Sequence, residues 1–313
     1  MIDPASVAPL GRTGLLISRL GIGGGSSFVR AGTDRGHVVS EAFAAGLRYF
    51  DTAPLYGEGA SETTFGEALA PHSRDTFVVS TKVGREAEHR FDYSARNVTA
   101  SIARSCARLH VASVDIALLH DVDPDMHEDF EQRFHEAVDE AYPALDRLRG
   151  EGKLRAIGVA LKNPHVALRL LRARPFDCVM LAGAYTLLEH SSLDALLPWC
   201  VDHRVGVLLA APFNTGILAT GAVEGARYFY HPAPPDVMAR VARIERICAH
   251  HAVPLAAAAL QFPLAHPAIA SVVVGHERAE DVARNVAFMR HPVPAAMWAD
   301  LKQDGLLPAH APT

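Results

Sequence analysis

Eight short apolar runs, each followed by a stretch with helical periodicity, restrict this chain to very few folds. The runs fall at residues 20–23, 48–52, 76–82, 114–120, 156–159, 178–181, 206–210 and 271–274. They are continuous more than alternating, as expected of parallel strands buried on both faces. The stretches between them carry apolar stripes at 38–47, 61–69, 95–109, 134–149, 164–172, 192–203, 235–250 and 279–289. Strand followed by helix eight times predicts an α/β fold of the (β/α)8 TIM-barrel type and argues against a doubly wound sheet. Asn163-Pro164 combines a capping side chain with proline at a first helical position, and Gly46 and Gly150 are the expected helix stops.

Two segments stand outside this rhythm. Residues 7–19 read as an N-terminal hairpin with Gly11-Arg12-Thr13-Gly14 as its turn, placed to close the bottom of the barrel. The gap between the seventh and eighth strands is long. It holds Tyr228-Phe229-Tyr230-His231-Pro232-Ala233-Pro234-Pro235 and an alanine-rich helix over 255–264. Long insertions on the open face of a barrel usually bind ligands. No Pro/Ser linker or charge run divides the chain, so residues 1–313 are expected to form a single domain.

Three strands end in ionisable groups. Tyr49-Phe50-Asp51 runs into Thr52-Ala53-Pro54-Leu55-Tyr56-Gly57, Val78-Val79-Ser80-Thr81 ends in Lys82, and Val114-Asp115-Ile116-Ala117-Leu118-Leu119 ends in His120. All strand ends of a parallel barrel open on one face, so Asp51, Tyr56, Lys82 and His120 can share one pocket. A tyrosine titrates near 10 when free, and a neighbouring ammonium favours its phenolate. Lys82 can supply that charge, Asp51 can hold the lysine, and His120 can orient a reacting oxygen. Such a site moves a proton on or off a hydroxyl or carbonyl, and it leaves the electrons to a cofactor.

Composition closes off other classes. A net charge of −5 gives no basic footprint for nucleic acid. No apolar run reaches the length of a membrane span, and Met1-Ile2-Asp3-Pro4 lacks the basic start of a signal peptide. Cys106, Cys178, Cys200 and Cys248 are widely spaced, as expected of reduced thiols in a cytoplasmic protein. Seventeen histidines raise the question of a metal, but His250-His251 diverge on a helix and His127 and His135 lack ligand spacing. The expected partner is a small molecule, and the expected assembly a monomer or small homo-oligomer.

The runs DTAPLYGEGASETTFGEAL, STK and LLHD resemble the aldo-keto reductase superfamily. That resemblance extends from the hairpin to Asn285 and implies a barrel that binds a nicotinamide cofactor without a Rossmann fold. It implies Tyr56 as general acid/base, Lys82 and Asp51 as the pair that tunes it, and His120 as the residue that orients substrate. It also implies cofactor contacts. Gly24 and Gly25, in Gly23-Gly24-Gly25-Ser26, would admit the nicotinamide ribose near Asp51, and Tyr185 falls in a matching AG-x-YTLL motif. Pro212, Phe213, Asn214, Gly216 and Leu218 resemble a loop over the pyrophosphate. Gly275, Glu277, Arg278, Asp281 and Asn285 match the adenosine end, with Asn285 on adenine. After the fifth strand, where the superfamily usually has Ser-Asn to grip the carboxamide, this chain has Ala160-Leu161-Lys162-Asn163, so that grip is altered.

A carboxylate at Glu277, where the superfamily commonly has a base for a 2′-phosphate, implies NAD as the preferred cofactor. Arg278 or Arg284 leaves NADP possible. AGAYTLLEH, PFNTGILATG and ARYFYHPAPPDV resemble the aldose 1-dehydrogenase branch, of L-fucose and D-threo-aldose type, whose relatives include pyridoxal 4-dehydrogenases. Ala184 and His190 depart from that branch's pattern. Tyr228, Phe229 and Tyr230 can cover a sugar face or a pyridine ring. A non-catalytic cofactor-sensing subunit and an NADPH-dependent aldehyde reductase are the alternatives from other classes.

Overall fold

The computed structural model describes residues 1–25, 34–87 and 90–313. Its centre is a closed barrel of eight strands: β1 (Leu20–Gly23), β2 (Tyr49–Asp51), β3 (Val78–Val83), β4 (Ile116–His120), β5 (Ala156–Leu161), β6 (Cys178–Ala182), β7 (Gly206–Ala210) and β8 (Ile269–Gly275). Each strand runs parallel to the next in sequence order, and β8 closes on β1. All eight expected strands form, and the last runs longer than its apolar run suggests.

Two buried layers follow from the pleat. Tyr49, Ile116, Leu118, Met180 and Leu208 face inward. Their neighbours along each strand, such as Phe50, Val79, Leu119 and Leu181, face outward and meet the helices. The interior admits Tyr49 because β1 carries Gly21, where a Cβ would lie 2.6 Å from the Tyr49 ring.

The N-terminal hairpin forms as expected, pairing Val7–Pro9 with Leu16–Ser18. It sets Leu10, Leu15 and Ile17 into the barrel interior, where each buried side chain stabilises by about 2 kcal/mol. Arg12 fixes the turn at the lower end of the barrel by donating to the carbonyls of Pro175 and Phe176, just before β6.

The helical layer departs from the pattern at three places. The helix expected over 134–149 is interrupted: Phe130–Glu136 passes through a π turn at Ala137–Ala141 into Tyr142–Gly150. Pro143 explains the break, since it lacks an N–H and its ring would strike the carbonyl four residues back. Gly150 stays helical, and the left-handed position that ends this segment falls on Gly152 at φ 74°. A helix at Ala295–Gln303 was not foreseen. Gly46, at φ 87°, and Asn163, whose Oδ1 accepts from the His165 and Val166 amides, act as the pattern predicts. All four cysteines are free thiols, three of them buried. Among the described residues no single helix is long and apolar enough to cross a membrane.

Candidate active site

The strand register lifts the ionisable groups to the same end of the barrel. Asp51 pairs with Ser80, so Lys82 stands two residues further along β3. Lys82 pairs with Leu118, which puts His120 two residues further along β4. The period-two pleat keeps all three on the inward row. Tyr56 returns over them through a tight turn, with its amide donating to the Ala53 carbonyl at 3.1 Å. Gly57 and Gly59, both at positive φ, let that turn lead directly into the helix Ala60–Leu69.

Contacts among the four are close. Lys82 Nζ donates to Asp51 Oδ2 at 2.7 Å and to the Thr52 carbonyl at 2.9 Å. Asp51 Oδ1 accepts from Ser80 Oγ at 2.7 Å, and Ser80 Oγ lies 3.0 Å from the Tyr49 hydroxyl. The lysine ammonium lies 4.7 Å from the centre of the Tyr56 ring. Tyr56 meets His120 edge-on, with ring centres 5.9 Å apart. His120 Nδ1 is buried and has no hydrogen-bond partner among the described residues.

Burial governs the titration of these groups. It pushes Tyr56 up to about 12; Lys82 opposes that rise, while Asp51 and Asp121 add to it. The lysine offsets part of the desolvation and does not reverse it. Lys82 is itself pulled down by burial, but the Asp51 and Tyr56 charges outweigh this and raise it, so it remains an ammonium. Burial lowers His120 to about 4, so the imidazole is neutral at neutral pH and can exchange a hydrogen bond with a substrate oxygen.

Beside the tetrad the structure brings in groups not singled out from the sequence. Arg85 Nη1 holds Asp121 Oδ2 at 2.5 Å, and that carboxylate oxygen lies 3.5 Å from His120 Nε2. Asp123 is buried and accepts from the amides of Lys162 at 2.9 Å and Asn163 at 3.1 Å. The signals were present: an arginine three residues past Lys82, and a second and third acid straight after His120.

The expected cofactor residues divide into two sets. Gly24 donates its amide to the Asp51 carbonyl at 2.7 Å, and a Cβ on Gly25 would lie 3.8 Å from Tyr56 Cζ. Ser26 lies outside the described residues. Phe213 and Gly216 are partly exposed, and open space lies over Gly216. Gly275 and Arg278 are exposed at the end of β8, with Glu277 half-buried between them.

The others are buried or hydrogen-bonded within the protein. Tyr185 is fully buried and packs on Phe262, at 5.1 Å between ring centres. Leu218 is fully buried and Pro212 nearly so. Asn214 accepts from Thr186 Oγ1 at 2.5 Å and donates to the Gly183 carbonyl at 3.3 Å, tying the loops after β6 and β7 together. Asp281 caps the helix Ala279–Arg290, accepting from the amides of Glu277 and Arg278, and it also pairs with Arg284. Asn285 is buried and donates to His276 Nε2 at 3.0 Å, a neutral imidazole that burial lowers to about 4.

The family follows from comparison with known proteins. The sequence model described as the aldo/keto reductase family matches residues 19–304. The chain belongs to the aldo/keto reductase family. It is 36% identical to a D-threo-aldose 1-dehydrogenase from Pseudomonas sp, over 98% of each chain. It is 31% identical to a pyridoxal 4-dehydrogenase from Microbacterium luteolum, over 95% of this chain and 97% of the other. The solved holo form of an aldo-keto reductase from Bacillus halodurans superposes with a TM-score of 0.77 at 25% identity, over 98% of this chain and 97% of that one. This reductase is thus an NAD(P)-dependent oxidoreductase, and the glycine-lined rim suits such a cofactor. Gly25 and Gly216 leave room where a side chain would fill the approach, and Gly275 is exposed at the end of β8.

Proposed function

We propose that this aldo/keto reductase oxidises the anomeric hydroxyl of an aldose, of the L-fucose or D-threo-aldose type, to the lactone, with NAD as the preferred acceptor. The buried Lys82–Asp51 pair beneath Tyr56, beside a neutral His120, carries this reading. The 36% identity to a D-threo-aldose 1-dehydrogenase supports the choice of substrate class.

Each residue has one task. His120, uncharged, positions the anomeric oxygen by a hydrogen bond. Tyr56 receives the hydroxyl proton. Lys82 limits the cost of the phenolate that must form first, and Asp51 keeps Lys82 charged and in place. A bound nicotinamide would accept the hydride that leaves C1 of the sugar. Gly24, Gly25, Phe213, Gly216, Gly275, Glu277 and Arg278 are the residues that would hold it. Glu277, near the adenosine end of the expected site, would repel a 2′-phosphate and accept from ribose hydroxyls.

A second reading, oxidation of pyridoxal hemiacetal to its lactone, draws on the aromatic hairpin. Tyr228 bonds to Glu189, and Phe229 packs near Gly183, so flat rings roof the loops after β6 and β7. The test is NADH formation with L-fucose, D-arabinose, L-galactose and pyridoxal as separate substrates, with NADP run in parallel. Turnover of an aldose with NAD is the expected result. Activity on pyridoxal alone selects the second reading. No turnover on any substrate, with NADH still bound, rejects both.

A further inference from the structure

We propose that Lys162 is a specificity-determining residue whose ammonium binds an anionic oxygen of the substrate, so that the enzyme favours an acidic hemiacetal over its neutral counterpart. This rests on the dehydrogenase reading above and names the substrate more closely. Lys162 follows Ala156 and Ala160 on the inward row of β5, and Ala160 is paired with His120. Its side chain therefore rises from the wall next to the residue that positions the reacting oxygen.

Both ends of this lysine are accounted for. Its backbone is fixed by Asp123, which takes the amides of Lys162 and Asn163, and by Asn163 as cap of the helix Pro164–Ala173. Its ammonium lies 5.9 Å from the centre of the Tyr230 ring, with no carboxylate within ion-pair distance among the described residues. The nearby acids are already engaged: Asp121 by Arg85, and Asp123 by the two amides. Lys82, the other lysine of the mouth, is committed to Asp51. A cation held only by a ring contact at that distance binds an anionic oxygen more strongly than it binds the ring. Burial lowers His120, and the charges of Lys82, Arg85 and Lys162 act in the same direction.

The roof over Lys162 is built at a conformational cost. Phe229 and Tyr230, at φ 45° and 68°, form the two-residue turn of the hairpin Arg227–Tyr228/His231–Pro232. Such a turn ordinarily takes Asn-Gly. It is kept by the Tyr230 amide on Thr215 Oγ1 at 3.2 Å and by Tyr228 on Glu189. The strain holds a flat face above the ammonium, where a hemiacetal ring reaching from His120 would pass.

The oxygen can belong to a carboxylate, a phosphate or an ionised phenol, and matched pairs distinguish them. Wild type, Lys162→Met and Lys162→Arg are assayed with a hexuronate and the aldose lacking its carboxylate, a sugar phosphate and its parent sugar, and pyridoxal and its 3-deoxy analogue. Wild type is expected to prefer the acidic member of one pair by about tenfold or more in kcat/KM, the equivalent of one hydrogen bond to a charged group. Lys162→Met should abolish that preference mainly through KM, Lys162→Arg should retain most of it, and added salt should weaken it. Equal or better use of the neutral member in every pair overturns the proposal. So does a Lys162→Met effect that appears in the KM for NAD and is the same for all substrates, which would assign the lysine to the cofactor. If no member of any pair is oxidised while NADH still binds, the dehydrogenase reading itself fails, and this inference fails with it.

Discussion

The two sides of the barrel mouth are built differently. On the β2–β4 side the reactive groups stand on strands or one tight turn away, and their contacts run inward to Asp51, Ser80 and Tyr49. On the β6–β8 side the mouth is made of loops with residues at positive φ, among them Ala211, Asn214 and Thr215. The polar side chains there bond to other loops more than they face the opening. The groups proposed to carry the chemistry are placed by a sheet that cannot shift by one residue without turning every side chain over. The binding rim is placed by side chains that hold its own turns.

Variants on the two sides should therefore fail in different ways. Lys82→Met, on the strand side, should lower kcat by about 10²–10⁴, the span of a lost acid–base function. The residual activity should also move to higher pH, because the charge opposing the rise of Tyr56 is gone. A variant that kept its pH profile would show that Lys82 only supports the fold.

Acidification acts on both sides alike, through stability. Burial holds His120 and His276 at about 4, whereas an unfolded histidine titrates near 6.5. With folded values below the unfolded one, their stabilising contribution is complete above about pH 6.5 and is lost as pH falls towards 4. Each should cost on the order of 1–3 kcal/mol across that window, read as a falling Tm and proton uptake on unfolding. His276→Gln should flatten the curve. An unchanged slope would contradict its neutral, buried state.

Smaller effects are expected on the loop side. Thr186→Val removes the hydroxyl that holds Asn214 and accepts from the Leu188 and Glu189 amides. It should raise KM for NAD by about tenfold while kcat changes little. Asp281→Ala removes the cap at the start of Ala279–Arg290 and should cost about 1 kcal/mol, with a severalfold rise in the same KM. A kcat loss from either variant as large as that of Lys82→Met would break the distinction between the two sides.

The same division governs how far the sequence could be read. Strands were legible because burial on both faces writes a continuous apolar run, and a strand end fixes where an acid, lysine or histidine will stand. Helix joints were less so: Pro143 produced a π turn within one periodic stripe, and the stop fell on Gly152. Rim contacts were least legible. Tyr185, Leu218 and Asn285 lie beside open loops in the sequence, yet each is buried in the fold. A loop residue's partner is set by tertiary packing, and no local pattern records that Asn214 will meet Thr186 or Asn285 will meet His276. Resemblance suggested the rim, and the structure shows which of its side chains are buried.

The measurement that bears hardest on the strand-borne site is kcat of Tyr56→Phe, set beside the affinity of that variant for NADH. Loss of about 10²–10⁴ in kcat, with NADH binding close to wild type, is the outcome if Tyr56 moves the proton. A variant that still turns over within a few-fold of wild type would contradict that role, and the chemistry would then have to reside elsewhere in the mouth.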